Sequence, residues 1–142
     1  MAFATTFRNT LAILLFQATA IANVADNAAS SPITNVFVSL HTADPSAGNQ
    51  TTSEAAYTSY ARVGVARTSG GWSSSAGVVT NVAAINFPAC TGSSSTVTHV
   101  GVGTLTSGTG SLWVAGAVTS SLSVSNGITP QFAASGLSIT IA

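Results

Sequence analysis

From Pro32 onward the chain alternates aliphatic and small polar residues with period two, and glycine-, serine- or asparagine-containing breaks cut the pattern into short runs. Period-two alternation places every second side chain on one face of a strand, whereas a helix needs apolar residues three and four apart. The first run is Val36, Val38 and Leu40 on one face with Phe37, Ser39 and His41 on the other. Tyr60–Arg67 follows, and further strands are predicted near Val78–Phe87, Val97–Gly103, Leu112–Val118, Leu122–Val124, Thr129–Ala133 and Leu137–Ile141. Gly70-Gly71, Gly92, Gly108 with Gly110, Asn126-Gly127 and Ser135-Gly136 supply turns, since glycine and asparagine accept positive φ at little cost. About eight short strands at close spacing predict a mainly β fold, a β-sandwich or jelly roll. No long helical pattern follows Asn35, which disfavours a βαβ architecture.

Residues before Pro32 follow another rule. Phe7, Leu11, Leu14, Leu15, Ala18 and Ala22 recur at helical spacing, with Ile13 and Phe16 off that stripe and Thr5 or Thr6 available as a cap. The reading is one N-terminal amphipathic α-helix and linker over 1–31, then a β-domain over 32–142. A secretory signal competes, because Leu11–Phe16 follows Arg8 and precedes Ala18, Ala20, Ala22 and Ala25. That apolar run is short for a signal, and Asn9, Thr10, Gln17, Thr19 and Asn23 interrupt any membrane span.

The chain has 142 residues and only 4% charged ones, against roughly 25% in typical soluble domains. The ionised set is Arg8, Arg62, Arg67, Asp26, Asp44 and Glu54, and lysine is absent. Three arginines do not neutralise a row of phosphates, so nucleic acid is not an expected partner, and neither is a membrane. A net charge of zero sets up no repulsion between copies, which favours self-association.

Chemistry has little to work with. The three carboxylates are not placed as a pair, and Asp44 before Pro45 is explained by turn formation. His41, His99 and Asp44 could be combined with one of many serines into a Ser-His-Asp site, yet no Gly-x-Ser-x-Gly elbow occurs. Two histidines without cysteine or carboxylate neighbours make a weak metal site and read as hydrogen-bonded packing residues. Cys90, the only cysteine, reads as a small buried hydrophobe. Trp72, after Gly70-Gly71, leans towards exposure and Trp113 towards burial; either ring would suit a sugar, but packing is the commoner use. The expectation is a protein without catalytic, cofactor-binding or metal residues.

Six stretches in order, Val38–Pro45, Tyr60–Val63, Gly71-Trp72, Asn81–Pro88, Thr96–Thr104 and Gly127–Ala134, resemble a family of small tailed-bacteriophage virion proteins. Its members are often labelled tail-fibre proteins, and the family is similar to jelly-roll capsid cement, or decoration, proteins. The resemblance covers roughly residues 34–141. It implies a non-enzymatic structural protein on the outer capsid surface of the virion, often a homotrimer, that binds the phage major capsid protein and stabilises contacts between its subunits. Arg62 is then the candidate to meet rim carboxylates of the shell. A tail-fibre or receptor-binding component recognising a host surface glycan is the alternative, and copy number per virion separates the two.

Overall fold

The computed structural model describes residues 4–21 and 32–141; Ala22, Ala25 and Asp26 of the N-terminal reading lie outside them. The described residues are mainly β, with nine strands in three antiparallel sheets and one N-terminal helix among them. Its contacts divide it into two compact units, one made of residues up to Asn35, Ala66–Ile85 and from Phe132 on, the other of Val36–Val65 and Asn86–Gln131.

The first unit is built on helix α1 (Thr5–Gln17) and a three-stranded sheet of β3 (Trp72–Ser75), β4 (Val78–Asn81) and β9 (Ser138–Thr140) in the order β3-β4-β9. Ala76 and Gly77, at φ 52° and 82°, form the two-residue turn between β3 and β4. Two positive-φ residues match the right-handed twist of the paired strands. A side chain at Gly77 would also press on Arg8 Cβ at 3.0 Å. Trp72, Val79, Leu137 and Ile139 are buried with Ala12 and Phe16 of the helix.

The face that α1 buries is not the predicted one. Ala12 and Phe16, four residues apart, are fully buried, whereas Phe7 is 39% exposed and Leu11, Leu14 and Leu15 are half-buried. Phe16 wins because its ring meets Trp72 edge to face, with centroids 5.0 Å apart and planes at 64°. Helical spacing finds an apolar stripe but does not say which stripe meets the sheet. Ala4 stands at the N-cap without a side-chain bond, so the expected threonine cap does not form. The C-terminus is closed instead: Ala18 is left-handed, and Arg67 donates to Leu15 O, Leu14 O and Ile33 O at 2.6, 2.7 and 2.7 Å. A guanidinium there satisfies orphan carbonyls and opposes the negative end of the helix dipole. Burial lowers the Arg67 pKa. Among the described residues no helix is long and apolar enough to cross a membrane.

The second unit carries a four-stranded sheet in the order β2-β1-β6-β7, made of β1 (Asn35–His41), β2 (Val63–Ala66), β6 (Ser95–Gly103) and β7 (Leu112–Val124). β1 and β6 are antiparallel with Val38 opposite Val102 and His41 opposite His99. β1 does not keep one polar face in water: Val38, Ser39, Leu40 and His41 are all buried. The two-residue strands β5 (Ile85–Asn86) and β8 (Gln131–Phe132) pair with each other.

Other elements also depart from the alternation reading. Val78–Phe87 divides into β4 and β5, and the two predicted strands within 112–124 are one strand, β7, with bulges where the β6 register shifts. β3 was not anticipated, since Trp72-Ser-Ser-Ser shows no alternation. Its tryptophan is fully buried and Trp113 only half-buried, the reverse of expectation.

Candidate functional site

Two of the three charged residues of the second unit, Glu54 and Arg62, meet beneath one loop. Beyond β6 the chain runs through Thr104–Gly110 before entering β7, and the neck is closed by Thr104 N–H to Ser111 O (3.1 Å) and Ser111 N–H to Thr104 Oγ1 (3.0 Å). Beneath it Arg62 and Glu54 meet in two parallel bonds, Nε to Oε1 at 2.6 Å and Nη2 to Oε2 at 2.8 Å. Their side chains are 2% and 17% exposed. This bidentate geometry suits the planar guanidinium, and the Glu54 bonds raise the Arg62 pKa. Tyr60 completes the group by donating to Glu54 Oε1 at 2.9 Å while accepting from Leu40 N–H at 3.0 Å. Burial pushes the phenol pKa well above its ordinary value.

The remaining donors of Arg62 point into the loop. Nη1 donates to Leu105 O at 2.9 Å and Nη2 to Gly108 O at 2.8 Å. Gln50, fully buried, accepts from Leu105 N–H at 2.9 Å, and its own N–H donates to Gly110 O at 3.1 Å. The glycines of this region make the room, because a Cβ at Gly110 would collide with Gln50 Oε1, and one at Gly103 with Gln50 Cδ and Ser111 O. Above this scaffold Leu105, Thr106, Ser107 and Thr109 are exposed.

Arg62, expected to reach outward to another subunit, is therefore an internal strut. Its neighbours in sequence hid this, because Gln50 and Glu54 come from a polar stretch with no periodicity. One signal was available: with six charged residues in the whole chain, a buried region that takes in both Glu54 and Arg62 must pair them.

A serine and a histidine also meet in this unit. His41 Nδ1 lies 2.9 Å from Thr52 O, and a carbonyl only accepts, so Nδ1 carries the proton. Nε2 then accepts the Ser39 hydroxyl at 2.8 Å. Burial holds the pKa of His41 below its ordinary 6.5, outweighing the Thr52 carbonyl and the Glu54 charge, which favour the cation. Both Ser39 and His41 are 0% exposed, and the third partner is a peptide carbonyl and not Asp44. Asp44 instead accepts the Ser46 N–H at 2.9 Å in the expected turn, a bond that lowers its pKa. His99 Nδ1 is 2.9 Å from Thr98 Oγ1, and buried Cys90 donates to Gly92 O and Ser93 O at 2.9 and 3.1 Å. His41 and Cys90 are thus buried and hydrogen-bonded, and His99 is half-buried and hydrogen-bonded. Among the described residues no three His, Cys, Asp or Glu side chains gather as metal ligands.

The state of His41 fixes an acid response. The unfolded chain takes up a proton near pH 6.5, whereas folded His41 resists it until a lower pH, so the unfolded state binds more protons between the two values. This group's contribution to stability is complete above pH 6.5 and declines as pH falls from there to the folded pKa. Denaturant unfolding across pH 7 to 4 is expected to show that decline, and His41→Gln to flatten it.

Comparison with known families identifies a bacteriophage structural protein: residues 12–140 match the model of a phage virion family. That family is described as podophage GP4 fiber I protein gp80, and the chain belongs to it. No curated protein matches the chain. The expected membership of a phage virion family holds.

Proposed function

We propose that this chain is a fibre component of the podophage particle, acting by packing and recognition and running no reaction. The observation that carries the reading is the family match over residues 12–140. The site agrees with it, since the buried polar groups hold backbone and the Ser39–His41 pair is sealed from any substrate. Near-neutral surfaces suit a role among many protein neighbours, including copies of the same chain. Several modest contacts then add through effective concentration.

A capsid cement role is the second reading. It draws on the ordered stretches between Val38 and Ala134, and on mass action: a ligand of the assembled shell alone stabilises that shell. The two readings separate by stoichiometry. Quantitative mass spectrometry of purified virions is expected to find the chain at a handful of copies; a count on the order of hundreds would favour cement, as expected from symmetric coverage of a shell.

A further inference from the structure

Four hydrogen bonds from inside the second unit hold the Thr104–Gly110 backbone, and two of them occupy both backbone polar groups of Leu105. Three come from the side chains of Gln50 and Arg62 and the fourth from the Gln50 backbone N–H, and these residues are 0% and 7% exposed. The side chain they hold in place is the opposite: Leu105 is 49% exposed, the most open large apolar side chain among the described residues. A buried ion pair returns little net stability compared with apolar packing, and its use here fixes the shape of a loop in which residues 105–109 are exposed. An apolar group that is already immobilised binds without the ordering cost that a floppy one would meet.

We infer that Leu105 is an anchor that seats in an uncharged, aliphatic pocket on a neighbouring protein subunit of the phage particle, with Thr106, Ser107 and Thr109 as its polar rim. The inference rests on the reading of the chain as a virion component. The chemistry of the partner follows from that of the loop. Arg62 and Glu54 neutralise each other beneath it, and residues 104–111 contain no charged side chain, so a charged pocket would be desolvated without compensation. A phosphate or an acidic sugar would likewise meet no cation. A neutral saccharide is best served by an aromatic platform, and residues 104–111 contain no aromatic ring. A leucine flanked by hydroxyls matches a protein pocket lined by aliphatic side chains and edged by backbone groups.

The test uses phage carrying Leu105→Ser, Leu105→Asp or Gly108→Val. Gly108 has φ +76° and open space around it, so valine there bends the loop without a clash while Leu105 stays. Copies of the chain per purified virion are counted by mass spectrometry, and the purified full chains are melted in parallel. Both Leu105 variants are expected to melt like the wild type, and copies per virion to fall about tenfold or more for the aspartate variant. The serine variant follows in the same direction and decides the matter should the aspartate variant melt early. Gly108→Val should lower the count with the anchor intact. Wild-type copy numbers in both Leu105 variants would overturn the proposal, and so would wild-type copy numbers with lost adsorption to host cells, which would turn the loop towards the host. Wild-type virions without the chain would instead remove the fibre-component reading itself.

Discussion

Arg62→Met should destabilise the protein by about 3–5 kcal/mol in denaturant unfolding. The guanidinium makes four hydrogen bonds of 2.6–2.9 Å, two to Glu54 and two to loop carbonyls, from a side chain only 2% exposed. Methionine fills much of the volume, so the loss is electrostatic and not a cavity. Glu54 keeps the Tyr60 hydroxyl as a donor but no counter-charge. Leu105 O and Gly108 O belong to an exposed loop and can turn to water, so amide exchange in the loop should quicken as well. Changing Glu54 to methionine in the same chain should restore part of the loss, because removing both charges leaves neither stranded. A loss below about 1 kcal/mol for Arg62→Met would mean that the pair behaves like an exposed one and does not hold the loop.

What could be read from sequence and what could not divide along one physical line. Alternation is a local property, and it located β1, β6 and β9 because Val36–Leu40, Val97–Gly103 and Leu137–Ile141 each carry it within a single run. Turn chemistry located the breaks at Gly92, Asn126-Gly127 and Ser135-Gly136 for the same reason. The errors fall where a partner elsewhere in the chain decides. The rotation of α1 is set by the edge-to-face contact of Phe16 with a tryptophan far along the chain. β3 exists because Ser73, Ser74 and Ser75 find Thr80, Val79 and Val78 across a tight turn, although the serines themselves have low strand propensity and no pattern. The site was the least legible part: Gln50 and Glu54 look like loop polarity, and Tyr60 and Arg62 like the start of a strand, until β1 and the loop before β7 bring Leu40 and Leu105 to them. Scarcity of charge pointed to a protein that runs on packing. The same scarcity, followed one step further, says that each buried charge must be held by a partner inside the unit.

The first unit should fail at Trp72. Trp72→Ala is expected to cost about 3–5 kcal/mol, the range for deleting a buried aromatic side chain. Trp72 is fully buried, faces Phe16 at 5.0 Å, and offers its carbonyl to Gln17 Nε2 at 3.2 Å, so the same residue ties α1 to β3 by ring and by backbone. Once the ring is gone, Phe16 loses the contact that sets the rotation of the helix, and hydrogen exchange should show α1 amides opening before those of β1 and β6. Trp72→Phe should be far milder, below about 1.5 kcal/mol as for other near-conservative apolar exchanges. It keeps an aromatic edge against Phe16, and the atom it deletes, the indole Nε1, is buried without a hydrogen-bond partner among the described residues. Removing an unsatisfied buried donor recovers part of what the lost ring volume costs. Equal losses for phenylalanine and alanine would place the energy in packing that only the full indole makes and not in the Phe16 contact, and would end this account of how the helix is held.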